Sequence, residues 1–327
     1  MLRKVKVVGL AMKRQNKGHT KQEGAALIFL VTILVLAVTA FALHSLTGNE
    51  YKAERELMTA KALVDAKSAL IAWSVMQNNP GQLPCPEDTT LIGFPIEGQA
   101  QTNCTSPNPI IGRLPWRTLG IGEIKDGNGD KLWYVISPGY RVSPINSSIF
   151  GQLSIDGAPN STSAIILSAG VPLLSQTRPM PTNIAPPVTS QYLDGSNNDG
   201  NASFVSKGAV ISFNDRLIAV KQSELFSPVT NRILRMIKGD STQGLVKFYP
   251  ANGNNYPFAD LNADGIADNT ILLGTPSYQA GANSLFFNAI AKAALLNNGW
   301  FSLTSYAVTA SKQSVTLTLN GKTLVIP

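Results

Sequence analysis

Between Gly24 and Leu46 the chain reads GAALIFLVTILVLAVTAFALHSL, with no charged side chain and only Thr32, Thr39, His44 and Ser45 as polar interruptions. About twenty apolar residues in a row can cross the hydrocarbon core of a bilayer as a helix. A helix also pairs every backbone polar group within itself, as lipid demands. Ahead of this run stand Arg3, Lys4, Lys6, Lys13, Arg14, Lys17 and Lys21 against Glu23 alone, so the leader carries most of the chain's net +7. Such charges are expected to stay in the cytoplasm. The chain after Gly24 is close to neutral. The basic pI therefore belongs to the leader, and no clustered cationic face for nucleic acid is expected.

A secretory signal has a shorter apolar core and a small-x-small cleavage site. This run is too long, and no such site follows it cleanly. A plain signal anchor fits the length. A third reading rests on Lys21-Gln22-Glu23-Gly24-Ala25-Ala26-Leu27-Ile28 and the unbroken apolar run behind it. This segment resembles a type IV prepilin leader. The resemblance implies cleavage between Gly24 and Ala25 by a prepilin peptidase, with methylation of Ala25. The family's pattern has Glu at the fifth mature position, where this chain has Phe29. A start at Met12 would give a compact basic leader of the same kind.

Helical sequence is expected to continue past the apolar run. Asn49 to Gln77 contains no Pro or Gly and is rich in Ala, Leu, Lys, Glu and Met, all strong helix formers. Leu57, Ala60, Val64, Ser68 and Ile71 recur at three- and four-residue spacing, flanked by Leu63, Leu70 and Trp73, which predicts one apolar stripe. Asn78-Asn79-Pro80-Gly81 breaks the pattern. Uninterrupted from Ala25 to Gln77, such a helix would be roughly 80 Å long.

Beyond Pro80 the apolar runs shorten and Gly, Pro, Asn, Ser and Thr become frequent. Strands are predicted at 132–136, 164–167, 209–213 and 314–320. Asn320-Gly321 is a hairpin-turn dipeptide that leads into a last strand at 322–326. Helical pieces are predicted at 223–238 and 284–296, and a loop from Pro172 to Asn201. The predicted organisation is a leader (1–24), an apolar half-helix (25–48), an amphipathic half-helix (49–79) and a β-rich head (80–327). The predicted fold class is α+β: a long N-terminal helix, a membrane half plus an amphipathic half, packed on a mainly antiparallel head in the pilin manner. Leu83-Pro-Cys-Pro86, Gly112 to Gly120, Asp126-Gly-Asn-Gly-Asp130 and Leu132-Trp-Tyr-Val135 together resemble a group of prepilin-like proteins. A plain turn also accounts for Asp126 to Asp130.

The cysteines, Cys85 and Cys104, both fall in loop-like sequence, and a disulfide between them is expected if the head is exported. Closing a loop of this size stabilises by roughly 3 kcal/mol in the chain-entropy model. A catalytic thiol would lack a partner, because the histidines are His19 and His44, both ahead of the head. Two cysteines at this spacing are too few for a zinc site.

Asp260-Leu-Asn262-Ala-Asp264-Gly265-Ile266-Ala-Asp268 places side-chain oxygens at positions one, three, five and nine, with Gly at six. That spacing matches a Ca²⁺ loop, with Asp260, Asn262, Asp264 and Asp268 as side-chain ligands and Ile266 offering its carbonyl. The twelfth position holds Ile271 rather than Glu, so the loop is a shortened one; a polar turn is the plain alternative. Asp194 to Gly200 is a poorer match.

No G-x-S-x-G, H-E-x-x-H or P-loop occurs, and no enzyme is expected, although spacing does not test a carboxylate pair for glycoside chemistry. The resemblance implies a minor pilin or minor pseudopilin of a type IV pilus or type II secretion pseudopilus. It implies residence in the inner membrane by a single pass with a periplasmic head, then filament or surface location after assembly. The implied partners are other pilins or pseudopilins, met through the N-terminal helix. In the family the fifth-position Glu pairs with a neighbour's N-terminal amine. Its replacement by Phe29 resembles the K-type minor pseudopilin at the filament tip. A membrane-anchored binding protein outside any filament and an anchored hydrolase are the alternatives.

Overall fold

The computed structural model describes residues 23–158, 161–174, 176–208, 210, 212–279 and 285–327. The chain divides into two compact units, Met1–Ala53 and Glu54–Pro327. Helix α1 spans Glu23–Met76 and so contributes to both.

In the first unit every side chain described from Ile28 to Phe41 is exposed. Only Thr32 and Thr39 break the apolar run. Each turns its hydroxyl back onto its own helix, at the Ile28 and Val35 carbonyls (3.0 and 2.9 Å). Among the described residues no helix is long and apolar enough to cross a membrane. That overturns the expected membrane half of the helix, and with it the expected single-pass inner-membrane localisation with a periplasmic head. Of the long helix, only Glu54–Met76 belongs to the second unit, so the predicted long helix packed along its whole length on the head is not shown. Of the leader (1–24), residues 1–22 lie outside the described residues.

The second unit is α+β with antiparallel main sheets. Its first sheet is built from β1 (Ile110–Arg113), β2 (Trp133–Ile136), β4 (Thr162–Ser168) and β6 (Arg216–Lys221), in the order β1-β2-β4-β6 and antiparallel throughout. Every residue of β2 and β4 is buried, so both faces are covered. Alternate residues point to opposite faces. Tyr134, Ile136, Ala164 and Ile166 join one core, with Leu70, Phe226, Val229 and Ile233. Trp133, Val135, Ile165 and Leu167 join the other, with Leu153, Tyr192, Leu193 and Phe204. The short pair β3 (Ser154–Ile155) and β5 (Ser203–Phe204), parallel to each other, edges this second core. Helices α2 (Gln222–Lys238) and α3 (Gly244–Ala251) follow. The second sheet has the order β10-β9-β8-β7, from β7 (Leu273–Gly274), β8 (Ser305–Val308), β9 (Val315–Leu319) and β10 (Lys322–Ile326). Helices α4 (Ala289–Asn297) and α5 (Trp300–Leu303) precede β8.

Several predicted elements are found where expected. The β9–β10 hairpin turns at Asn320 and Gly321, both at positive φ (50° and 74°), as the two-residue turn requires. Others shift. Of the predicted strand at 209–213, residues 209 and 211 lie outside the described ones, and Val210 and Phe213 pair with each other, exchanging both backbone bonds (2.7 and 3.1 Å). The strand lies further on, at β6, where a four-residue apolar run merges into α2 and leaves no punctuation to mark it. Helix α4 starts at Ala289, capped by the Asn288 side chain, which accepts from the Ala291 N–H (2.8 Å).

The buried stripe of α1 also differs from the predicted one. Leu57 and Val64 are exposed, and the buried positions are Thr59, Ala62, Leu63, Ala66, Leu70 and Ser74. Small side chains let other backbone approach the helix. A Cβ added to Gly127 would lie 2.1 Å from the Arg55 carbonyl oxygen, and the Gly127 N–H donates to the Thr59 hydroxyl (3.0 Å). The turn around Gly127 is anchored by buried Asp126. Its carboxylate accepts from the Asn128 and Asp130 N–H groups (2.9 and 3.0 Å) and from the Ser168 hydroxyl (2.6 Å).

Candidate functional site

Gly24 and Ala25 fall within the bounds of α1, at the start of the apolar segment. From Ile28 to Phe41 the helix presents large apolar side chains on every side, among them Phe29 at 70% exposure and Leu34 at 61%. A helix that is hydrophobic all round has no face suited to water, so it is stable only with that surface covered. Phe29 offers no charge to any neighbour.

Cys85 and Cys104 form a disulfide, with Cα atoms 5.7 Å apart. A surface cleft of about 380 Å³ opens beside Cys104, lined also by Thr105, Ser106, Ile110, Ser137 and Arg141. Its lining holds hydroxyls and a guanidinium but no carboxylate or imidazole to serve as a base, so no nucleophile–base pair is assembled there.

The sequence reading missed a buried cationic cluster behind the first sheet. The Arg113 guanidinium lies against both the Trp133 and Tyr192 rings, 4.5 and 4.3 Å from their centroids, and donates to the Lys131 carbonyl. Burial holds it below the ordinary guanidinium range. Arg178 donates to the Asp130 carboxylate, to the carbonyls of Gly170, Ala169 and Tyr192 (2.8, 2.9 and 3.2 Å) and to Gln176 Oε1 (2.7 Å). It thereby pins the Pro-rich connection after β4. No local pattern marks either arginine as buried; arginine's five fixed donors suit the role.

Asp194 and Asp215 meet nearby. The Asp215 carboxylate accepts from the Asp194 N–H (2.9 Å) and Asn197 Nδ2 (3.0 Å). Burial pushes it up to about 7, against those two hydrogen bonds. The Asp194 carboxylate is taken up by Gln176 Nε2 (2.7 Å) and the Asn214 N–H (2.8 Å). The poorer calcium match at 194–200 is thus occupied by the protein's own donors.

In the loop from Asp260 to Asp268 the predicted ligands turn back on one another. The buried Asp260 carboxylate accepts from the Gly265 N–H through Oδ2 (2.6 Å), and Asp268 Oδ2 accepts from the Leu261 N–H (2.8 Å). Asn262 Oδ1 accepts from the Asp264 N–H (3.1 Å), and Asp264 Oδ1 from the Ile266 N–H (2.8 Å). Gly265 sits at φ +90°, and a Cβ there would meet Tyr278 and Gln279 at 2.7 Å. Glycine is the residue that such a backbone admits. Among the described residues no group of three or more His, Cys, Asp or Glu side chains is gathered closely enough to hold a metal ion.

Compared with known proteins, the chain matches no family model, no curated protein and no solved structure.

Proposed function

We propose that this chain is a prepilin-type subunit, a minor pilin or minor pseudopilin, that works by assembly rather than by catalysis. The observation that supports this reading is the wholly exposed apolar segment from Ile28 to Phe41, directly behind the Gly24–Ala25 junction. Its two threonines spend their hydroxyls on their own helix, so the segment asks nothing polar of a partner. Helices of like character, packed side by side, would cover it. Cleavage at Gly24–Ala25 would make Phe29 the fifth mature residue. An apolar side chain there cannot neutralise the N-terminal amine of a neighbouring subunit. A subunit with no neighbour above it has no such amine to neutralise, which favours a tip position in a type IV pilus or a type II secretion pseudopilus.

The test is the mass of the N-terminal peptide of protein recovered from cells with an active prepilin peptidase. The expected terminus is Ala25, carrying a methyl group. An intact leader in those cells, or a terminus beyond Leu46, would overturn the reading.

A further inference from the structure

Most of the head's acidic groups meet a cation or several donors. Glu97 and Glu123 pair with Lys131, Asp130 with Arg178, and Glu224 with Lys67. In the loop after α3 the acidic groups have donors but no cation. From Tyr256 to Gln279 the only charged residues are Asp260, Asp264 and Asp268. None of the three forms an ion pair among the described residues.

Asp260 is fully buried (0% exposed), and its Oδ1 has no hydrogen-bond partner. The same carboxylate is turned into the loop, because Oδ2 accepts from the Gly265 N–H. A buried carboxylate oxygen left without a partner forfeits its hydration without return. Two more oxygens of the loop are unengaged among the described residues. Asp268 accepts through Oδ2 only. The Gly265 carbonyl accepts from the Tyr278 and Gln279 N–H groups (2.8 and 2.9 Å), and the Asp264 carbonyl from Gln279 Nε2 (3.0 Å), while the Ile266 carbonyl accepts nothing.

We propose that this loop binds one Ca²⁺ through Asp260, Asn262, Asp264 and Asp268 side-chain oxygens and the Ile266 carbonyl, closing around the ion from the more open arrangement described above. The unpartnered Asp260 oxygen and the uncompensated charge call for a cation. All five donors are hard oxygens, which suit Ca²⁺, and its six to eight ligands at flexible distances leave room for water. Mg²⁺ demands stricter octahedral geometry and gives up its water reluctantly. Binding would tie the loop to the second sheet, since Asp260 exchanges backbone bonds with Thr275 (3.0 and 2.7 Å), directly after β7. The Tyr278 ring packs against the loop, where a Cβ added to Gly265 would meet it at 2.7 Å. Tyr278 is therefore close enough to report on an ion held there. This inference does not rest on the assembly reading; either stands if the other fails.

The test uses the full chain, stripped with chelator and titrated calorimetrically with CaCl₂ to about 10 mM, above the 10⁻⁴ to 10⁻³ M range of extracellular modules. One saturable site is expected, with weaker response to Mg²⁺ and a melting temperature raised by Ca²⁺ through mass action. Asp264→Ala, an exposed position, should weaken binding roughly tenfold or more, while Asp199→Ala should leave it unchanged. Tb³⁺ provides a readout independent of stability: its emission under tyrosine excitation should fall in Tyr278→Phe and in Asp264→Ala. The absence of a saturable heat in the unaltered chain would overturn the proposal. So would wild-type affinity in Asp264→Ala, or Tb³⁺ emission that survives in both variants. If Asp264→Ala does not fold, Asp268→Asn serves in its place with the same criteria.

Discussion

Leu34 and Leu70 belong to the same helix, yet one is 61% exposed and the other fully buried. Around Leu34 the sequence is uniformly apolar, so no rotation of the helix could hide all of it against one surface. Around Leu70 the apolar and small residues recur every three or four positions, with charged residues between, and one face suffices. The second pattern is satisfied within Glu54–Pro327, by Tyr134, Val229, Ile233 and their neighbours. The first is not satisfied by the described chain. A segment that folds by itself and a segment that waits for others can thus be told apart by the period of their apolar residues rather than by their hydrophobicity.

The widest contrast should come from substituting the two leucines. Leu70→Ala should destabilise the second unit by about 2–5 kcal/mol, the usual cost of emptying a buried leucine site. Leu34→Ala should change that unit by less than about 0.5 kcal/mol. Denaturant unfolding, followed through the buried Trp133 and Trp300, measures both. A large effect of Leu34→Ala would break the comparison.

Next in size is a pH effect in the second unit, set against the segment 28–41, which carries no titratable side chain. Asp215 is pushed from 3.8 up to about 7 by burial, so the folded state holds its proton more tightly than the unfolded chain does. Its contribution to stability is fully present below about pH 3.8 and is lost as the pH rises through 7. Relative to Asp215→Asn, the unaltered protein should therefore lose on the order of 4 kcal/mol across that window. Parallel slopes for the two proteins would show that Asp215 is charged throughout.

The smallest of the three effects concerns the disulfide. Replacing Cys85 and Cys104 by serine should cost about 3 kcal/mol in the second unit, from the loop entropy returned to the unfolded chain. Without reduction, neither thiol should take up an alkylating reagent. Ready labelling of both would remove the cross-link from the account of the head's stability.

Much of the head was legible where the signal is local. The Asn320-Gly321 turn, the apolar runs of β2 and β4 and the amphipathic pattern of α2 each lie within a few residues, and the structure has them. The Cys85–Cys104 bond was legible by count alone, because only one pairing exists. Strand β6 was not legible, since its apolar run is only four residues long and no Gly or Pro separates it from α2. The α1 stripe was misread because hydrophobicity points to Leu57 and Val64, while the buried face uses the small Thr59, Ala62, Ala66 and Ser74, with Gly127 closing on Arg55 and Thr59. The spacing of acidic residues over 260–268 was legible, but the orphaned oxygen of Asp260 was not.

The sequence by itself determined that residues 24–46 form an apolar segment without a polar face, that the turn at 320–321 reverses the chain, and that residues 256–279 carry only negative charge. These depend on composition and spacing, which need no neighbours. Only the tertiary structure decided which face of α1 is buried, that Arg113 lies against both Trp133 and Tyr192, that Arg178 pins the loop after β4, and that Asp215 is stripped of water. Burial and pairing depend on groups far apart in the chain. Residues 113, 133 and 192 meet because the β1–β2 ladder and the second core bring them together, and no local pattern encodes that distance.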